Sequence, residues 1–306
     1  MAQPNEHAVS AATPCTRRSS GAHALGERVA GLRRPKLDGL FERTQDVNAR
    51  IAALACASLF ACRSASTPVP EARADEPPGV AASGVAVVEL FTSEGCSSCP
   101  AADDVLGDLA RRTDRPIYAL GFHVDYWDNL GWPDRAASPD NTARQRAYAY
   151  AFGVGGLYTP QMIVDGTEPF TGSDRARADV AVGRALTRPA SVRLSIHPRR
   201  TGSHAVTVDY ETQGAPAGSV LSVAIVEREV STSVRAGENA GKTLRHANVV
   251  RAFISAPLAS TTGSVVEQLS ASVPRDATEV IAFVQRPSAD GGMPVLGATR
   301  SSVARM

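Results

Sequence analysis

The sequence shows almost no imbalance of charge. Lys and Arg number 32, Asp and Glu 31, and the formal net charge over 306 residues is +1. That balance argues against a nucleic-acid face built on basic excess and against an acidic solvating tail. Long hydrophobic runs are also missing. The longest, Ile51 to Ala61 (IAALACASLFA), falls well short of the roughly 18 residues a membrane-spanning helix needs. Cysteine is scarce. Cys15, Cys56, Cys62, Cys96 and Cys99 are too few and too unevenly spread for a disulfide scaffold. Only Cys96 and Cys99 form a CxxC, so a closed zinc site of four thiolates has no second half. What is present is ordinary for a folded protein, 43% apolar and 21% charged. The length suggests two domains.

The run Ile51 to Ala61, preceded by Arg50, fits the apolar core of a secretory signal better than a membrane span. Leu59, Phe60 and Ala61 before Cys62 resemble a bacterial lipoprotein signal, in which that cysteine is lipidated. Residues 1–46 carry no periodicity and read as an untranslated or disordered extension, with the true start near Val47 and the signal over 47–62. Residues 63–84, rich in Pro, Ala, Ser and Gly, cannot bury enough surface to offset their ordering entropy and read as a tether. The expectation is an exported protein at the periplasm or outer surface, held to the membrane through Cys62. The alternative is a cytosolic protein with a small apolar helix that ends in cysteine.

Residues 85–189 read as one α/β unit. Val85 to Phe91 is a near-continuous apolar run, as a buried parallel strand requires. After the cysteines, Val105, Leu106, Leu109 and Ala110 recur at helical spacing, with Pro100 tolerated in the first turn. Pro116 to Val124 gives a second strand. Ser138 caps a helix with Pro139 at its first position, ended by Gly153. The segment YTPQMIVDG gives a third strand behind Pro160, residues 167–171 a short edge strand, and a last helix follows Ser173 as its cap. A CxxC at the first strand-to-helix junction of such a unit is the thioredoxin arrangement.

The strings VVELFTSEGCSSCP, FHVDYWDNLGW, ARQRAYA and YTPQMIVDG together resemble a bacterial family of exported proteins known as domain of unknown function 1223. The resemblance runs from about Val85 to Thr299. It implies a thioredoxin-like fold, and in that fold a cis proline, here Pro160, faces the cysteine pair. The backbone of Thr159 is then open to a substrate. The sequence departs from thioredoxins in having Gly95 where they carry a tryptophan and Leu90 where they carry a buried acid.

A thiolate is the nucleophile of disulfide exchange, and helix N-terminal N–H groups stabilise it. On that logic Cys96 attacks and Cys99, one turn on, resolves. Ser97 and Ser98 offer hydroxyls to sulfur and, with Thr159 and Pro160, form the candidate substrate contacts. Glu94 beside Cys96 opposes thiolate formation. His123, Asp125 and Glu89 are the candidate proton relay. Three readings of the pair stand: thiol–disulfide exchange with a protein or small-molecule thiol, needing no cofactor beyond the disulfide; copper or zinc handling by Cys96, Cys99 and His123; and a structural disulfide in a non-catalytic interaction module. Trp127 and Trp132 are expected to pin their loop.

Residues 190–306 alternate apolar and polar over several short segments, from SVRLSI to EVIAFVQ, with turn signals between them. An all-β, sandwich-like C-terminal domain follows, without a catalytic triad or a phosphate loop. Its loop AGENAGKTLRHANVVR carries Lys242, His246 and Arg251, which could meet an anion or the first domain.

Overall fold

All seven residues of β1 (Ala86–Thr92) are buried, the mark of a strand covered on both faces. The computed structural model describes residues 84–303, apart from 271–272 and 275–277. The extension, the signal with Cys62 and all but the last residue of the tether lie outside these residues. From β1 the chain passes through α1 (Pro100–Ala110), β2 (Ile117–His123), a 3-10 turn (Asp125–Leu130), α2 (Pro139–Ala151), β3 (Gln161–Val164), β4 (Glu168–Thr171) and α3 (Arg175–Thr187). β1 and β2 are parallel, whereas β3 runs antiparallel to β1 and β4 to β3. Ser138 caps α2 and accepts from Asp140 N. α3 is capped not by Ser173 but by Asp174, the residue before its first turn, whose side chain accepts from Arg177 N.

The second half supplies β5 (Arg193–Thr201), β6 (Ala205–Gln213), β7 (Val220–Ser233), β8 (Thr243–Pro257), β9 (Thr262–Gln268), β10 (Thr278–Gln285) and β11 (Val295–Ser302). These strands do not form a sandwich standing apart from the α/β half. Four of them extend the first sheet, giving one eight-stranded mixed sheet in the order β11-β10-β7-β8-β2-β1-β3-β4. The remaining three form a small antiparallel sheet, β5-β6-β9. It packs on the large sheet through Ile196, Val206 and Val208 against Val223, Ile225, Val280 and Val284. Alternation along the chain was a true signal of strands; which sheet each would join depends on pairing that alternation does not encode.

The junction lies between β2 and β8. Gly121 pairs with Val249, and Asn248 Nδ2 donates to Ala119 O at 3.0 Å. Asn248 has φ 47°, a left-handed conformation that asparagine tolerates better than most residues. Gly121 permits the approach, since a Cβ there would lie 3.2 Å from Ala247 O. One apolar cluster then runs through both halves, joining Phe91, Phe122 and Tyr148 to Ala224, Val226, Ile281 and Phe283. On the other face α1 and α3 close over β1, β2 and β3 through Leu106, Leu109, Val182 and Met162.

Candidate functional site

Cys96 and Cys99 are joined in a disulfide, with Cα atoms 5.4 Å apart. Cys99, not Cys96, is the N-cap residue of α1, and its carbonyl accepts from Ala102 N and Asp103 N. Cys96 lies in the preceding turn, where Cys99 N donates to Cys96 O at 3.2 Å. Ser97 and Ser98 are exposed, and Ser98 Oγ lies 3.3 Å from Cys96 Sγ. Both cysteines have 0% exposure. The attacking role expected of Cys96 needs an accessible sulfur, whereas both sulfurs are buried here.

The tip of the β7–β8 hairpin is bonded to the loop that carries Cys96. Asn239, itself 0% exposed, donates from Nδ2 to both Glu94 O and Cys96 O at 2.9 Å. Ser97 N donates to Glu238 Oε2 at 3.0 Å, and Lys242 Nζ donates to Asn239 Oδ1 at 2.9 Å. Side chains from two distant stretches of sequence thus meet on one four-residue loop. Only the distinctive composition of AGENAGKTLRHANVVR hinted at this.

Next to the disulfide lies a buried group of acids and imidazoles. His123 Nδ1 is 2.6 Å from Asp134 Oδ2, and both side chains are within 1% of full burial. The His246 ring stands edge-on to that of His123, with centroids 4.6 Å apart. His246 Nε2 is 3.5 Å from Glu94 Oε1 and Nδ1 is 3.6 Å from Asp103 Oδ2. At those separations neither nitrogen makes a hydrogen bond of normal geometry, and His123 Nε2 also has no partner. His246 is therefore held mainly by charge. Burial works against its protonation, but the two flanking carboxylates win and raise its pKa to about 10. Burial pushes Glu94 up, yet His246 and the Trp132 indole, which donates to Glu94 Oε2 at 2.8 Å, bring it below the usual carboxylate range. Asp134 is buried too, and His123 with the Glu94 and Ala136 N–H groups holds it well below that range. Thr92 Oγ1 donates to Asp103 Oδ2 at 3.3 Å.

The three candidate relay residues do not come together. His123 is in the cluster, but its acid is Asp134, not Asp125, whose Oδ1 accepts from Thr142 Oγ1 on α2 at 2.6 Å. Glu89 lies on the opposite face of β1, as strand alternation requires. There it takes both arms of Arg144 at 2.9 Å and the Tyr148 hydroxyl. His246 does meet the first half, while Arg251 pairs with Glu227 of its own hairpin. Thr159–Pro160 is cis, Pro160 is buried, and Trp127 Nε1 donates to Thr159 Oγ1 at 2.8 Å. Trp127 and Trp132 are both half-buried and pinned by these bonds.

Of the alternative metal set, Cys96 and Cys99 are joined to each other and His123 Nδ1 is paired with Asp134. Among the described residues no group of three or more His, Cys, Asp or Glu side chains is arranged to hold a metal ion. A cavity of about 1040 Å³ runs between α1 and the β7–β8 strands and is lined by Asp103 and His246 but by neither cysteine.

The model of the family described as "Protein of unknown function (DUF1223)" matches residues 87–285, more than half of the chain. Among solved structures, a protein of Agrobacterium tumefaciens is similar, with 29% identity and a TM-score of 0.55 over 73% of this chain and 96% of that one. HBP35 of Porphyromonas gingivalis is similar in fold alone, with 14% identity and a TM-score of 0.51 over 72% of this chain and 76% of that one. No curated protein matches. Among the described residues no helix is long and apolar enough to cross a membrane.

Proposed function

The chain belongs to the DUF1223 family, and from that premise we propose that it is an exported, thioredoxin-like thiol–disulfide exchange protein acting through Cys96 and Cys99. The family description carries no activity, so the reading rests on the site. One observation carries it: Glu94 and Asp103, which flank the cysteine pair in the chain, belong to a buried ionisable cluster, His246 lying between them and His123 on Asp134. A staple closing so short a loop stabilises a fold by only about 2 kcal/mol. Burying several charges beside it costs more than that unless they are well paired. A structural staple has no use for them, whereas a sulfur that must gain and lose protons does. The topology of β1, α1, β2, α2, β3, β4 and α3, with CxxC before α1, supports the thioredoxin-like comparison.

In the oxidised state the chemistry begins with a substrate thiolate attacking Cys96 Sγ. The Cys96–Cys99 bond breaks, and the Cys99 sulfur leaves as a thiolate and takes a proton. The second substrate thiol loses its proton and attacks its partner sulfur in the mixed disulfide, releasing Cys96. The substrate dithiol becomes a disulfide, the protein pair becomes a dithiol, and two electrons and two protons have moved. Run backwards, the same steps reduce a substrate disulfide. The substrate is a protein or a small thiol of the cell envelope, reached by export and the lipid anchor at Cys62.

The test is exchange with a dithiol peptide. Oxidised wild-type protein is expected to oxidise it; Cys99→Ser, given the disulfide form of the same peptide, to attack it through Cys96 and accumulate a mixed disulfide; and Cys96→Ser to do neither. Absence of both oxidation and adduct would defeat the proposal. A second reading, a permanently closed disulfide in an interaction module, is favoured by the 0% exposure of both cysteines. On that reading the double Cys→Ser variant loses stability, by about 2 kcal/mol, and nothing else.

A further inference from the structure

We propose that the tip of the β7–β8 hairpin is a latch that opens to admit thiols to Cys96 and Cys99, with Asn239 as its bolt. The inference deepens the exchange reading and takes its purpose from it. It starts from the burial of both sulfurs and from the bonds by which the tip holds the backbone at Glu94, Cys96 and Ser97. Something must move, and the hairpin tip is the element suited to do so.

The tip is held to the cysteine loop by polar contacts. Asn239 spends both amide hydrogens on the Glu94 and Cys96 carbonyls, and Glu238 accepts from Ser97 N. Between Arg235 and Thr243 there is no large apolar side chain, and only Asn239 is buried. Gly237 and Gly131 pack against each other: a Cβ on Gly131 would lie 3.6 Å from Gly237 Cα. Each of these contacts can be exchanged for water at small net cost. A lid seated on leucines could not be lifted so cheaply.

The tip can also move as one piece. Gly241 N donates to Val234 O, Val234 N to Lys242 O and Ala240 N to Gly237 O, so the loop closes on itself. Val234 at 2% exposure and Leu244 at 7% anchor its two ends. The hinge therefore lies where the pairs Ser233–Thr243 and Thr232–Leu244 end the strand ladder. His246 sits two residues beyond that anchor on β8, so the strand that carries the latch also carries the buried cation. Lifting the tip leaves His246 in place and exposes sulfur above an intact ionised cluster.

The latch is tested on the full chain by the rate at which a water-soluble phosphine reduces the disulfide, read as mass gained on alkylation of the freed thiols. The wild-type rate is expected to level off as phosphine is raised, because opening becomes limiting. Asn239→Ala should reduce about tenfold faster or more, since both bolts are lost. Glu238→Gln should show a smaller gain together with faster hydrogen exchange at the Ser97 amide. Val206→Ala serves as a control, leaving a small gap between the two sheets away from the hairpin tip; it should leave the rate unchanged. Equal rates for wild type and Asn239→Ala overturn the latch. So does an equal acceleration by Val206→Ala, which would mean that access comes by general unfolding. The phosphine reads access alone, so a failure here is distinct from a failure to exchange with a dithiol peptide.

Discussion

His246 is a charge enclosed by charges, and its behaviour with pH follows from that. Its pKa in the folded protein is raised to about 10, against an ordinary imidazole value near 6.5. The folded state thus binds the proton more tightly than the unfolded chain does. The stability this contributes is complete below about pH 6.5 and is lost as the pH rises through about 10. Urea midpoints of the wild type are expected to fall across that window. His246→Gln should begin lower, by about 3–5 kcal/mol, because two buried carboxylates lose their cation, and should fall less. A parallel slope in both proteins would exclude His246 as the source. Arg144 is a second buried cation, on the other face, where it pairs with Glu89 and also reaches Gln285 at 2.7 Å. Arg144→Met should cost about 3–5 kcal/mol, and Arg144→Met with Glu89→Gln should recover much of the loss. Equilibrium unfolding of both variants checks it. The sequence pointed to His123 because it ends a strand beside the cysteines. Asp134 and Asp103 carried no such signal, since an acid in a polar loop or a first helical turn looks solvated until the fold covers it.

At the scale of elements, the cysteine-bearing loop, the helices and the first four strands were legible. Apolar runs, the proline after the caps and glycine stops mark them directly. β11 was not, because Val295–Ser302 is half polar and only two of its residues are buried. The hairpin was read as a loop over 236–251, yet the strand begins at Thr243. The joint between β2 and β8 is the element-level feature that no local pattern announces. It depends on Gly121 facing the Ala247 carbonyl and Leu106. Gly121→Val should crowd both and lower stability by about 1–3 kcal/mol, measured by thermal unfolding. An unchanged midpoint would mean that the joint is looser than these distances describe.

Over the whole described molecule, the two halves cannot be cut apart at 189/190 without opening a sheet. Gly84 and Pro189 bridge each other, but Phe122, Tyr148 and Phe283 share one cluster across that boundary. A fragment ending at residue 189 should therefore fail to give a cooperative transition. The full chain should unfold in one step. Trp127 and Trp132 report only the first half, so coincidence of tryptophan fluorescence with far-UV circular dichroism is the measurement, and separated transitions would contradict it. The same continuity imposes an order of events in biosynthesis. Chains grow at about 5–20 residues per second, so β1, α1 and β2 are made several seconds before β8 can take its place beside β2. During that interval the cysteines are in the nascent chain and their lid has not yet been made. A chain whose hairpin is not yet in place needs no lifting of the tip for its cysteines to react, so the demand for a moving latch begins only when β8 settles beside β2.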